Sequence, residues 1–394
     1  MESRSRLRVA FVCDTLHAAA GGGVVSAAYV VERLRRDHDV IPLSADATEG
    51  NGAVPALRVP IRAMREMHFV LAKPDRSLIA RTLASVDVVH LQLPFWLSFT
   101  ALAEAQKLGL PVVAGFHVQP ENALHNVGIH SPWLNDQLYR LLVTRFYDKV
   151  DAVVCPTAFA EHRLRAHGLT ATSVVVSNGV PPDVARAMAQ AEPHAPHAVD
   201  DPFFILAVGR LAAEKRQDVI LEAVRLSRHR DHIRLVVSGW GPREAELKER
   251  ALSLPNGAEI GFLPREELLS DLVHADLFVH ASEVELEGMA VLESMSAGLP
   301  ALIADAPESA ASSFALNDDF RFPAGDAYAL AKKIDALIEN PGKLEAARES
   351  YRQNARAFDF DASVKKLVEV YRWAIGRHRH RGAARAAERT DARV

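Results

Sequence analysis

Short runs of β-branched and apolar residues alternate with amphipathic helical stretches along this chain, and the alternation occurs twice. In the first half the runs are "RLRVAFVCD", "DVVHLQL", "PVVAGFH", "DAVVC" and "SVVVSNG". In the second they are "FFILAVG", "IRLVVSG", "AEIGFL", "LFVHAS" and "PALIA". Continuous apolar runs bounded by Gly, Pro or Asn mark strands buried on both faces. Helices between such strands require parallel sheets with right-handed crossovers. The expected class is α/β, with two doubly wound, Rossmann-like domains. A length of 394 residues suits two domains rather than one.

The boundary falls in "AQAEPHAPHAVDDP", Ala189 to Pro202, which lacks hydrophobic periodicity. This places an N-terminal domain over 1–190, a linker over 191–202 and a second domain over 203–358. His194 and His197 in the linker lack the carboxylate or Cys spacing of a metal site, so they read as solvated. A final helix is expected over 359–378. It carries Leu367, Val370, Tyr371 and Ile375 at helical spacing, with Asp361 as N-cap. The basic tail 379–394 has no core-forming pattern and reads as disordered.

A formal net charge of -4 gives no global attraction to nucleic acid. Cys13 and Cys155 sit in strand-like runs and read as core thiols of a reducing compartment. No leader pattern precedes the first strand, and no apolar run reaches the ~20 residues that span a bilayer. The expected location is cytoplasmic, with at most a peripheral place on the inner face of the membrane.

Three stretches carry the chemistry. In "AVGRLAAEKRQDVILEAV" a strand ends at Gly209 and a helix begins near Arg216. Arg210 and Lys215 thus lie at the carboxyl end of a strand, where open α/β sheets bind ligands. Two cations there suit a phosphate or diphosphate; alone, they are equally an exposed loop with surface charge. "GGGV", Gly21 to Val24, precedes a helix, so Gly22 and Gly23 would let backbone approach an anion. The dinucleotide fingerprint GxGxxG is absent.

The third stretch is "SEVELEGMAVLESMSAGLP". On one helix, Glu285 and Glu293 would stand ~12 Å apart along the axis. That exceeds the ~5–9.5 Å between the carboxylates of a glycoside hydrolase. Two separate contacts to one extended ligand fit better. Gly288 opens a helix and exposes the amides of Met289 and Ala290, an anion cradle between two hydroxyl-binding carboxylates. A nucleotide sugar presents hexose, diphosphate and ribose in that order. In the N-terminal half, His117 ends the run "PVVAGFH" and reads either as a core histidine or as a site residue. The loop beyond it offers Gln119, Glu121, Asn122 and His125, polar groups suited to acceptor hydroxyls, or to capping that loop. Pro55 to Pro74 interleaves Arg58, Arg62, Arg65 and Lys73 with apolar residues. It suits an anionic membrane surface or a core-packed helix with a solvated face.

Glu285, "LEGMAVL", Glu293 and "SMSAGLP", with "VGRLAAEK", "SGWGP", "SNGV" and "FH", together resemble the retaining glycosyltransferases of family 4. The resemblance spans nearly the whole chain and implies the GT-B fold, two Rossmann-like domains facing a cleft. It implies that Arg210 and Lys215 bind the diphosphate, Glu293 the ribose, and Glu285 with the amides after Gly288 the hexose. Gly22, Gly23, Gly209 and Gly239 would line the donor site, and His117 would sit beside the sugar. The last helix would cross back onto the first domain. "HVQPEN" and "SEVELEGMAVLE" are similar to stretches of members that glycosylate diacylglycerol lipids. The implied activity is metal-independent, cofactor-free hexosyl transfer from a UDP-glucose-like donor to a hydroxyl, such as that of a lipid. His117, Glu285, Arg210 and Lys215 would carry catalysis. The Asp-x-Asp stretch Asp359 to Asp361 reads as helix capping rather than a Mg²⁺ site. The alternatives from the same fold are a nucleotide-sugar epimerase and a non-catalytic nucleotide-sugar-binding protein.

Overall fold

A computed structural model describes residues 6–16, 22–47, 52–57, 70–125, 128–191 and 201–391. The chain divides into two compact units. The first comprises 1–120, 131–177 and 361–394, and the second 121–130 and 178–360.

The first unit is built on six parallel strands: β1 (Arg8–Val12), β2 (Asp39–Leu43), β3 (Val88–Leu91), β4 (Val112–Gly115), β5 (Ala152–Cys155) and β6 (Thr172–Val175). Their order is β2-β1-β3-β4-β5-β6. The inner strands are apolar on both faces because helices cover both, and Val9 through Val12 are fully buried. Both cysteines are buried free thiols.

The second unit repeats the plan with β7 (Phe203–Val208), β8 (Ile233–Ser238), β9 (Glu259–Gly261), β10 (Leu277–His280), β11 (Ala301–Asp305) and β12 (Arg321–Pro323). The order is β9-β8-β7-β10-β11-β12. The direction of winding reverses between β7 and β10, so a crevice opens beyond their carboxyl ends. The loops after those two strands carry Arg210, Lys215 and Glu285.

Several expectations change. The structure adds edge strands β2 and β12, which contain Pro42 and Pro323. The helix Pro182–Gln190 clusters with the second unit, as do residues 121–130, although the sequence assigned 1–190 to the first domain. Asp361 is no N-cap: the last helix runs Phe360–Asp391, and Asp361 lies in its first turn, bonded to Arg33 Nε. That helix also carries the backbone through the tail expected to be disordered, and the segment from 361 onward clusters with the first unit. His194, His197, Gly21 and residues 58–69 of the basic stretch lie outside the described residues. Among the described residues no helix is long and apolar enough to cross a membrane.

Candidate active site

The second unit gathers most of the residues that the sequence singles out. The loop after β7 runs against the loop after β8. Leu211 N–H donates to Trp240 O at 2.8 Å, and Arg243 N–H donates to Leu211 O at 3.0 Å. Their closeness requires glycine: a Cβ on Gly239 would stand 1.9 Å from Gly209 O. Gly209 N–H in turn donates to Ser238 O at 3.0 Å.

Arg210 is held from below. Its Nη2 donates to Oε1 of Glu214 at 2.7 Å, and the Glu214 side chain is fully buried. Gln217 Nε2 donates to Arg210 O at 2.7 Å. Between them a single turn, Ala213–Lys215, ends at Arg216 in the left-handed region, φ 49°. Arg216 is ion-paired with Glu283. A side chain there costs about a kcal/mol relative to glycine, and the surrounding ion pairs and loop bonds hold it.

Lys215 Nζ pairs with Glu285 Oε1, and His280 Nε2 lies 3.1 Å from the same oxygen. Glu285 is fixed by a short parallel ladder, Val284–Glu285 against Glu308–Ser309. Burial alone would raise the Glu285 carboxyl. The Lys215 charge and His280 outweigh burial and hold it well below the usual carboxylate range. Glu285 is therefore a fixed anion rather than an acid.

Gly288, at φ 89°, caps the eight-residue helix Met289–Ser296. The amides of Met289 and Ala290 are among the first of that helix, which have no partner within it. Glu293 lies farther along the helix and accepts from Arg265 Nη2 at 3.0 Å; Arg265 Nε also reaches Asp183 at 2.7 Å. Burial raises the Glu293 carboxyl, and Arg265 opposes that shift. Glu285 and Glu293 thus have separate partners.

His117 belongs to the first unit, at the carboxyl end of β4. Its ring folds back over Gly115, where a Cβ would stand 2.5 Å from Nε2. Burial, with His90 nearby, lowers its proton affinity to a pKa of about 3, so the imidazole is neutral at working pH. His90 is itself buried, stacked on Phe11 at 4.5 Å, and bonded to Gln92 at 2.9 Å and to Tyr371 Oη at 3.0 Å. Gly22 and Gly23 open the helix Gly22–Asp37 of the same unit. The expected acceptor set is divided: Gln119 clusters with His117, whereas Glu121, Asn122 and His125 belong to the second unit.

Sequence reasoning missed Glu214, His280, Arg265, Asp183 and Glu287, which accepts from both the backbone N–H and the side chain of Asn178. Glu214 had a local signal, four residues after Arg210. Arg265 and Asp183 had none, because their partners are brought together only by folding.

Two family models match the chain. "Glycosyltransferase Family 4" covers residues 20–184 and "Glycosyl transferases group 1" covers residues 189–358. The alpha-monoglucosyldiacylglycerol synthase of Streptococcus pneumoniae is 25% identical over 62% of this chain and 57% of its own length. A GDP-mannose-dependent alpha-mannosyltransferase of Mycolicibacterium smegmatis is 26% identical over 76% of this chain and 80% of its own. The chain spans 57% of the length of each of the first two curated relatives it matches. Among solved structures, Anabaena Alr3699/HepE in complex with UDP-glucose superposes with TM-score 0.69 at 16% identity, over 93% of this chain and 99% of that one. A glycosyltransferase from Rickettsia africae gives 0.70 at 18% identity, over 94% and 99%. These likenesses bear on the fold and agree with two Rossmann-like domains of the GT-B type. With the two family models lying end to end across both sheets, the chain belongs to the family 4 glycosyltransferases.

Proposed function

We propose that this protein transfers a hexose, with retention, from a UDP-glucose-like donor to the hydroxyl of a lipid acceptor, without a metal ion. One observation carries the donor half. Arg210, the Lys215–Glu285 pair, the Gly288 helix start and Glu293 all lie in the second unit, on the loops and helix that follow β7 and β10. Arg210, Lys215 and the helix amides would take the charge that grows on the leaving phosphate. One well-placed donor contributes ~3 kcal/mol to such a step in a dry site. Glu285 and Glu293 would accept hydroxyls of the hexose and the ribose.

As the sugar's anomeric C–O bond breaks, the electron pair stays on the phosphate oxygen. The acceptor oxygen then bonds to the anomeric carbon from the same face, and its proton passes to that phosphate oxygen. His117, neutral and buried in the first unit, is unsuited to act as an acid. Support for a lipid acceptor comes from the synthase similar to this chain, named for a glucosyldiacylglycerol.

The test is a donor panel of UDP-glucose, UDP-galactose and GDP-mannose, presented with diacylglycerol in anionic vesicles. The expected product is an α-glycoside of the lipid, identified by NMR of the anomeric proton. Donor turnover without acceptor, giving an epimerised nucleotide sugar, would replace this reading with the epimerase alternative. A β-glycoside would sink retention.

A further inference from the structure

Glu293 is a buried carboxylate on the helix Met289–Ser296, with 11% of its side chain exposed. Arg265 Nη2 donates to its Oε1 at 3.0 Å, and Nη1 donates to its Oε2 at 3.4 Å. Two nitrogens of one planar fork thus meet the two oxygens of one carboxylate. The adjoining edge of the fork is held as well. Nε donates to Asp183 Oδ2 at 2.7 Å, and Nη2 donates to Asp183 Oδ1 at 3.3 Å. The guanidinium is therefore braced on two sides.

The three groups come from three helices of the second unit. Arg265 opens the helix Arg265–His274, which follows β9, and Asp183 lies in the first turn of Pro182–Gln190. Pro182–Gln190 packs against both of the other helices. This arrangement is more than a buried charge requires. Burial pushes the Glu293 carboxyl toward its neutral form, and the Arg265 charge opposes that. An ammonium would suffice for the charge alone. Asp183 works against the charge of Glu293, so what it serves is the orientation of Arg265. A guanidinium adds direction because its fork is rigid and matches both oxygens at once, and Asp183 stops that fork from turning.

An ionised carboxylate offers about four lone-pair sites. Arg265 occupies one on each oxygen, which leaves one on each, in the plane that the fork sets. In the donor reading those sites accept ribose hydroxyls. A carboxylate free to turn would have to be ordered by the ligand, and the ordering would be charged against affinity. We propose that Arg265 is a positioning residue for Glu293: braced on Asp183, its guanidinium holds the carboxylate in one plane, and so sets how strongly the second unit selects a ribonucleoside diphosphate over a deoxyribonucleoside diphosphate. The inference rests on the donor reading of Glu293.

The test is calorimetric titration of UDP, 2′-deoxy-UDP and 3′-deoxy-UDP into the full-length protein and into Arg265→Gln. Wild type is expected to bind at least one deoxy form about tenfold more weakly than UDP, the worth of one hydrogen bond to a charged group. In R265Q that ratio should shrink to about twofold, with the affinity for the deoxy form within about threefold of wild type, because the phosphate contacts lie elsewhere. A merely structural loss would weaken all three ligands equally. That result, or an unchanged ratio, overturns the role of Arg265 and leaves the donor site standing. A wild type that binds all three alike overturns the ribose reading of Glu293, one that binds none overturns the donor reading, and the inference falls with either. If R265Q does not fold, Arg265→Lys reads the same ratio. An ammonium keeps the charge but cannot span both oxygens, so the ratio should fall at least about threefold. A wild-type ratio in folded R265K overturns the proposal.

Discussion

Gly115 and His117 constrain each other. The imidazole lies where a Cβ on residue 115 would be, 2.5 Å from Nε2, so only glycine admits that ring position. Gly115→Ala should therefore displace His117 while β4 still forms. A misplacement of about 1 Å costs on the order of a hundredfold in rate. The expected outcome is a kcat reduced tenfold or more with the circular dichroism spectrum unchanged; wild-type kcat would remove His117 from the site. The same corner predicts a pH dependence of stability. His117 and His90 are depressed to about 3 and about 4 in the fold, against 6.5 when free. Below 6.5 the unfolded chain binds the extra protons, so both contributions are complete above that pH and are lost as it falls. Buried Asp14, raised from 3.8 to about 6, acts in the opposite sense and offsets one histidine between those two values. The urea midpoint should fall between pH 6.5 and 4, and fall less steeply in His90→Gln; parallel slopes in the two proteins would refute the assignment. At this scale the sequence marks residues by type and place in a motif, and so reaches Arg210, Lys215, Glu285 and Glu293. It leaves their partners obscure. Asp183, Arg265 and Glu293 form one cluster from three separate helices, and no spacing rule joins them.

The inner strands of both sheets were legible because burial on two faces demands unbroken apolar runs. The edges were not. β2 begins on Asp39, contains Pro42 and is partly exposed, while β12 is only Arg321–Pro323. Edge strands tolerate proline and charge because one of their hydrogen-bonding sides is unpaired, and so they lose the pattern that identifies a strand. The last helix was legible in its apolar core and misread at both ends. Helix extent depends on the surface it packs against as well as on capping residues. The helix Met289–Ser296 was located by its glycine, and its start is a testable element. Gly288 sits at φ 89°, and a Cβ there would meet Ala311 Cβ at 3.1 Å. Gly288→Ala should cost about 1 kcal/mol in stability, a melting shift of a few degrees. UDP affinity should drop by more than that stability loss explains, because the amides of Met289 and Ala290 would turn away from the anion. A melting shift with unchanged UDP affinity would mean those amides do not hold phosphate.

The first unit is not contiguous in sequence, since its fold depends on residues beyond 360. Val364, Leu367, Val368, Val370, Tyr371 and Ala374 of the last helix are all buried. Fully burying one large apolar side chain contributes about 1.5–3 kcal/mol. Several of them together rival the whole ~5–15 kcal/mol stability of a domain. Polar ties add direction: Tyr371 Oη to His90 at 3.0 Å, Arg377 to Thr172 at 2.8 Å, and Asp361 to Arg33. The second unit, by contrast, keeps its own close-packed chain end. A Cβ on Gly179 would stand 2.7 Å from the Cα of Phe360, and Val180 N–H donates to Phe358 O at 2.8 Å. Ending the chain after Phe360 should therefore act on one unit selectively. Hydrogen exchange should rise sharply in β1, β3 and β6, whose neighbours His90 and Thr172 lose their partners, while β7, β8 and β10 stay protected. Such a protein should still bind UDP through the second unit but transfer no sugar, because His117 and the surrounding first-unit structure would be lost. Protection kept in β1 and β3 would show that the first sheet holds without the last helix, and uniform loss across both sheets would show that the units fold as one.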